Sequence, residues 1–311
     1  RATEAYEQAR EKLQNFLGAD SSEEIIFTRG TTEAINLVAQ SLGRQITAAG
    51  DEIILSTLEH HSNIVPWQLL CQEKGASLKV IPINDRGEII LEEFARLLSA
   101  KTRLVALTHV SNALGSILPV KTMIDMAHQK NIPVLIDGAQ STPHLKVDVK
   151  QLDADFYALS GHKLFGPTGI GVLYGKKKWL EAMPPWQSGG NMIDKVTFDH
   201  TTFNSLPNKF EAGTGHIAGA VGLGAAVDYL NAIGLDEIES YETELLAYAM
   251  KELDKIPRLR QIGTAADKAG ILSFTVPGVS PQQVGSLLDQ AAIAVRAGHH
   301  CAQPSLARFG L

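Results

Sequence analysis

Short apolar runs alternate with segments of helical period along most of the chain. Runs near residues 25–28, 52–56, 78–82, 103–108, 132–137, 155–159 and 169–174 predict strands, and segments near 33–42, 62–74, 91–99 and 120–130 predict helices between them. Strands that are apolar on both faces and separated by helices predict an α/β fold, a mainly parallel sheet flanked by helices. The run Gly169–Tyr174 follows the strand before it too closely for a right-handed crossover, so antiparallel pairing is expected there. A segment from about 216 to 233, with Gly219, Ala220, Gly222 and Gly224 among its residues, predicts a helix that packs tightly against a core or a second subunit. Past Gly234 the order becomes helix, strand (near 271–274), helix, strand. Residues 1–234 therefore read as a large domain and 235–311 as a second, smaller α+β domain.

At 311 residues and 44% hydrophobic, the chain can bury a large core. Its net charge of −6 comes without a basic stripe, which argues against a nucleic-acid partner. No apolar run reaches bilayer-spanning length and no signal peptide leads the chain, so no membrane role is expected. The two cysteines, Cys71 and Cys301, form neither a Cys-x-x-Cys pair nor a disulfide framework, and a cytoplasmic setting is the expectation. Cys71 falls in an amphipathic segment and reads as a small buried hydrophobe.

The chemistry begins at Ser160-Gly161-His162-Lys163, between an apolar run and the Gly/Pro-containing loop Gly166-Pro167. A lysine at a strand end, with glycines that let backbone approach a ligand, suits covalent work through a lowered pKa. The cofactor that most often uses such a lysine is pyridoxal phosphate, held as a Schiff base. That molecule needs a carboxylate for its ring nitrogen, donors for its phosphate and a flat group for its ring face. Asp137, at the end of the run Val134-Leu135-Ile136, supplies a candidate carboxylate, although a helix N-cap reads about equally well from that position alone. Lys163, 26 positions later, tips the balance toward the cofactor. Gln140 is placed to donate to the ring oxygen.

Candidate phosphate donors are Thr31 and Thr32, which follow Gly30 and open a helix, with Ser160 and His162 from the lysine loop. An ordinary capping box is a weaker alternative than usual there, because Ala34 and Ile35 stand where its Glu or Gln would be. His60, after the strand near 52–56, is the candidate for the ring face and for acid–base work. No nearby Cys or second carboxylate completes a metal ligand set with His60 and His61, so no metal is expected. Asn112 could bond the ring hydroxyl or simply turn the chain before Gly115. Near the end, Cys301 sits in a Gly/Pro-bounded loop beside Arg296, His299 and His300, neighbours that favour a reactive thiolate.

Taken together, Arg29-Gly-Thr-Thr-Glu33, Glu59-His60-His61, Asp137-Gly-Ala-Gln140, Ser160-Gly-His-Lys163 and Arg296-Ala-Gly-His-His-Cys-Ala302 resemble the cysteine desulfurases. The resemblance is to the group II, Suf-type cysteine desulfurase/selenocysteine lyase branch of the class V aminotransferase family. It implies the type I pyridoxal-phosphate-dependent transferase fold, with Lys163 as the Schiff-base lysine, Asp137 as the ring-nitrogen partner and His60 stacked on the ring. Thr31, Thr32, Ser160 and His162 would be phosphate ligands, and Asn112 and Gln140 polar contacts. Cys301 would carry a persulfide formed as L-cysteine, or selenocysteine in the related reaction, becomes alanine. The sulfur would pass to an acceptor protein for iron–sulfur cluster assembly. The segment Phe210–Thr214 resembles one that brings Thr214 to a neighbouring subunit's cofactor phosphate, which implies a homodimer. The family also has an N-terminal arm and a later segment whose Arg clamps the substrate carboxylate. Neither is expected within these 311 residues, which leaves Arg296 as the anion-binding candidate. Competing readings are a kynureninase-like lyase or aminotransferase of the same class, neither of which needs Cys301, and a non-catalytic scaffold.

Overall fold

The computed structural model describes residues 1–311. Its first half runs α1 (Ala2–Leu17), β1 (Ile25–Thr28), α2 (Thr31–Val38), α3 (Arg44–Ile46), β2 (Glu52–Ser56), α4 (Val65–Lys74), β3 (Ser77–Ile81), α5 (Leu91–Leu97), β4 (Thr102–Thr108), α6 (Val120–His128) and β5 (Val134–Asp137). It continues through α7 (Val149–Leu152), β6 (Phe156–Ser160), β7 (Gly171–Gly175), α8 (Lys177–Ala182), β8 (Ile193–Val196), β9 (Thr201–Phe203), α9 (Ile217–Ile233) and α10 (Leu235–Leu253). Last come β10 (Arg260–Ile262), β11 (Ser273–Thr275), α11 (Pro281–Gln290) and α12 (Gln303–Arg308).

Seven strands form one sheet in the order β1-β7-β6-β5-β4-β2-β3. The pairs from β3 through β2, β4 and β5 to β6 are parallel. β7 pairs antiparallel with both β6 and β1, as its short connection predicts. Alternate residues of the central strands enter separate cores on the two faces: Ile54, Val105, Leu107 and Ile136 on one, Ile53, Leu55, Leu104, Ala106 and Leu135 on the other. Both faces are covered, which is why these strands read as unbroken apolar runs.

The Gly/Ala-rich α9 packs on α1, and a Cβ at Gly224 would stand 3.1 Å from that of Ala9. Of the two partners expected for that helix, the core provides one. The predicted helix near 33–42 is broken differently: a π-helical turn, Ala39–Gly43, separates α2 from α3. There Gly43 meets α4 so closely that a Cβ would stand 2.6 Å from Leu70 Cδ2.

Past α10 the sequence pattern is less faithful. β10 and β11 pair antiparallel, but β10, with Arg260 exposed and Gln261 half-buried, carries no apolar run to announce it. The strand expected after α11 does not form. Gly298, His300 and Cys301 adopt φ values of +119°, +54° and +57°, which an extended strand excludes. The β8–β9 hairpin, mostly exposed, was equally silent in the sequence. No single helix is long and apolar enough to cross a membrane.

At the amino edge of the sheet, charges are matched. Asp155, 1% exposed, accepts from Trp179 Nε1 at 2.7 Å and Val134 N–H at 2.9 Å, and its Oδ2 lies 2.7 Å from His128 Nε2. Lys176 and His128 hold the Asp155 carboxyl below its ordinary range against the opposing effect of burial. The carboxyl edge is different: there Asp137, equally buried, is met by a single main-chain N–H.

One close approach holds β1 to β7 at that edge. A Cβ at Gly171 would lie 2.5 Å from Gly30 Cα and 2.5 Å from the Leu159 carbonyl oxygen. Gly171→Ala is therefore expected to lower unfolding stability in urea by about 2 kcal/mol through overpacking. Gly190→Ala, where nothing lies within 4 Å of the added atom, should change it by less than about 0.5 kcal/mol.

Candidate active site

β6 ends at Ser160 and passes directly into a 3₁₀ turn, Gly161–Lys163, which turns the lysine back over the sheet edge. Gly161 N–H donates to the Ile170 carbonyl at 2.9 Å, and a Cβ there would press on Ile170. Lys163 faces a cavity of about 260 Å³ lined by fourteen residues, only two of them hydrophobic. Among the lining groups are Thr31, Thr32, His60, Asn112, Asp137, Gln140, Ser160, His162, Lys163 and Arg296, drawn from positions spread over 266 residues of sequence.

Asp137 is 3% exposed, and its carboxylate accepts one hydrogen bond, from Ala139 N–H at 3.0 Å. Burial raises its pKa, and the Ala139 bond and Lys163 only partly oppose this. Burial likewise lowers Lys163, with Arg296 adding to the effect and Asp137 and Cys301 opposing it. The result is a lysine biased toward its neutral, nucleophilic amine. Gly138 after the aspartate leaves no room for a side chain against the Tyr157 ring, whose hydroxyl is shared with His109 Nδ1 at 2.8 Å and Ser141 Oγ at 2.5 Å. This packed triad lies under the turn that carries Asp137.

The phosphate side is assembled across the chain. Gly30 caps α2 with φ +151° and has no side chain to offer; Ser160 takes that role instead, accepting from Thr31 N–H at 2.9 Å and lying 2.9 Å from Thr31 Oγ1. Thr31 and Ser160 are therefore tied to each other, while Thr32 is exposed beside them.

His60 accepts from Ser62 N–H at Nδ1 (3.1 Å), so that the neutral ring carries its proton on Nε2. Burial first, then Lys163, His61 and Arg296, pushes its pKa down to about 4.

Asn112 spans two parts of the site: Nδ2 donates to the His300 carbonyl at 2.6 Å, while Oδ1 is buried without a partner. The cysteine loop is docked by further bonds. His61 N–H donates to the Cys301 carbonyl at 2.9 Å, and His61 Nε2 accepts from Gln303 N–H at 3.3 Å. Cys301 itself does not line the cavity; its Sγ lies 3.8 Å from Arg296 Nη2, and Arg296 does line it. Thr214 stands apart from the cavity, exposed in the loop after Glu211. Thr108 and Ser62 also line the cavity and were not anticipated. Thr108, the last residue of β4, obeys the same strand-end logic that found Asp137, and Ser62 was legible as a hydroxyl two residues past His60.

Pyridoxal phosphate fits these groups. A cationic ring nitrogen would offset the burial of Asp137, a ring hydroxyl would satisfy the orphaned Asn112 Oδ1, and the α2 terminus with Thr31, Thr32 and Ser160 suits a phosphate. The volume falls slightly under the usual range for drug-sized ligands, about 300–1,000 Å³, as a small cofactor requires.

A mainly parallel sheet with lysine, aspartate and histidine converging at its carboxyl edge defines a pyridoxal-phosphate-dependent transferase fold. Residues 1–311 match the family described as aminotransferase class-V, and the chain belongs to that family. It is 58% identical over 311 residues to a protein of Synechococcus elongatus named cysteine desulfurase, covering 100% of this chain and 50% of the relative. It is 50% identical over 312 residues to a cysteine desulfurase of Dickeya dadantii, covering 100% and 76%. The crystal structure of the cysteine desulfurase CsdA from Escherichia coli superposes with a TM-score of 0.96 at 44% identity, covering 100% of this chain and 77% of that one. The chain spans about half the length of several curated relatives it matches, at 50%, 45% and 51%.

Two histidines, His109 buried and His60 half-buried, give the chain a pH signature. Burial lowers both His60 and His109 from 6.5 to about 4. Between those values the unfolded chain binds more protons than the folded one, so this contribution to stability is lost as pH falls from about 6.5 toward 4. The raised acids Glu59 and Asp137 act in the opposite sense, so the effect is read as a difference. Urea titrations should show the pH dependence of His109→Gln differing from wild type by about 2–3 kcal/mol over that range, wild type losing more on acidification.

Proposed function

We propose that the chain is a pyridoxal-phosphate-dependent cysteine desulfurase, moving the sulfur of L-cysteine onto Cys301 and leaving L-alanine. The observation that carries this reading is the seating of the cysteine loop on the lysine cavity. Asn112 holds the His300 carbonyl, His61 holds that of Cys301, and Arg296 belongs to both cavity and thiol. The names of the relatives support the same activity.

When bound, pyridoxal phosphate supplies an aldehyde that links to amines and a ring that accepts electron density from the substrate Cα. Lys163 would hold the aldehyde, Asp137 the ring nitrogen, Asn112 and Gln140 the ring oxygen, and Thr31, Thr32, Ser160 and His162 the phosphate. His60, kept neutral, would face the ring and share proton handling with Lys163. Lys163 Nζ, whose pKa burial lowers, takes the proton from the substrate Cα. Arg296, 3.8 Å from Cys301 Sγ, steadies that sulfur and the anionic groups of the substrate. Cys301 Sγ then attacks the substrate sulfur. The sulfur–sulfur bond forms as the carbon–sulfur bond breaks, and the bonding pair stays with the three-carbon fragment. That fragment gains protons and leaves as alanine, so carbon is reduced, sulfur is oxidised, and no external oxidant enters. Selenocysteine undergoes the same displacement.

The chain is read as a large cofactor-binding domain, residues 1–234, and a smaller one, residues 235–311, which carries Arg296 and Cys301. In a homodimer Thr214, exposed here, reaches the phosphate of the neighbouring copy. The persulfide passes its outer sulfur to an acceptor protein serving iron–sulfur cluster assembly in the cytoplasm.

Alanine and sulfide release from L-cysteine tests the reading. Cys301→Ala is expected to cut turnover at least about 100-fold while leaving the visible absorbance of the bound cofactor intact. Lys163→Ala should abolish that lysine-linked absorbance. Full turnover with cysteine in Cys301→Ala would contradict the desulfurase and favour another lyase or aminotransferase of the class.

A further inference from the structure

Glu59 directly precedes His60 and is fully buried, with no lysine, arginine or histidine paired to it. Its Oε1 accepts from Thr108 N–H at 3.0 Å and from Ser56 Oγ at 2.5 Å, and its Oε2 accepts from Asn63 Nδ2 at 2.7 Å. Asn63 is also fully buried, and its Oδ1 accepts from Trp67 Nε1 at 2.8 Å. The carboxyl thus joins the end of β2, the end of β4 and the start of α4. The Glu59–Asn63 bond closes the turn on which His60 stands, a turn also tied by Asn63 N–H to the His60 carbonyl at 2.8 Å.

The chemistry of the donors demands a carboxyl. Thr108 offers a main-chain N–H whose direction β4 dictates. Asn63 must offer its NH₂, because its carbonyl oxygen is taken by Trp67. Both Glu59 oxygens must therefore accept, and an amide has only one acceptor oxygen. Whichever way a glutamine was turned, one buried donor would face another. A carboxyl with its pKa raised by burial to about 8 still satisfies the set, since its hydroxyl can donate to Ser56 Oγ while both oxygens keep a lone pair for the fixed donors.

We propose that Glu59 is a positioning residue for His60: its two oxygens lock the 59–63 turn onto the end of β4 and hold the imidazole at the cofactor cavity. The inference rests on the pyridoxal phosphate reading above. It assigns Glu59 an effect on the cofactor, not merely on folding, since Thr108 and His60 both line the cavity.

A polarity swap tests it. In Glu59→Gln/Asn63→Asp, the glutamine oxygen accepts from Thr108 N–H and its NH₂ donates to the new aspartate, whose other oxygen accepts from Trp67. In the holoenzyme, Glu59→Gln is expected to weaken pyridoxal phosphate retention about tenfold, the scale of one unpaired buried donor. It should also reduce visible circular dichroism per bound cofactor. The swap should return both readouts to within about threefold of wild type.

Wild-type retention and dichroism in Glu59→Gln, with only the melting temperature lowered, would overturn the proposal. So would a swap that fails to fold or fails to retain cofactor. If Glu59→Gln alone does not fold, the swap is decisive by itself in the same two directions. A wild-type protein that takes up no pyridoxal phosphate would instead defeat the cofactor reading, and the positioning role with it.

Discussion

A buried carboxylate and a half-buried amine share one small polar cavity, and neither is neutralised within it by a close partner. Asp137 stands at the end of a strand buried on both faces, and Lys163 follows a second such strand. Each is pushed by burial toward its uncharged form and pulled back only partly by the other. Such an arrangement costs stability in the empty chain, and a ligand that brings a cation to the aspartate and an aldehyde to the amine removes both costs. The rest of the carboxyl edge is consistent with that constraint: Ser160 caps α2, Asn112 keeps one oxygen free, and a neutral His60 adds no charge.

The opposite edge of the sheet serves as a built-in control. Asp155 is as buried as Asp137, yet it is met by His128, Lys176, Trp179 and a main-chain N–H, and its pKa falls where that of Asp137 rises. Two aspartates of equal burial thus differ by whether the protein itself supplies the counter-charge. Lysines show a similar contrast. Lys268 is lowered by burial to about 8, but its ammonium is spent on the carbonyls of Gly263 and Leu114, away from any cavity chemistry.

The seven sheet strands were legible within about two residues, the inner ones because burial on both faces makes them largely apolar. The β8–β9 pair and β10 were hidden for the converse reason, being mostly exposed or half-buried, while β11 matches the strand expected near 271–274. Groups at the ends of strands could be read locally: Asp137, Lys163, His60 and the threonines of α2. What escaped was whatever depends on contact between distant segments. Glu59 meets Thr108 through main chain 49 positions away, and His61 reaches Gln303 across 242. Asn112 lines the cavity, but its grip on the cysteine loop has no sequence signature. The strand expected beyond α11 was overruled by left-handed backbone at His300 and Cys301.

The central claim is a covalent link between the amine of Lys163 and an aldehyde cofactor, and reductive trapping tests it most directly. Borohydride reduction of the purified holoenzyme, followed by proteolysis and mass spectrometry, is predicted to find a single pyridoxyl phosphate adduct, on the peptide that contains Lys163. An adduct confined to another lysine, Lys268 foremost, or no adduct at all, would contradict the account.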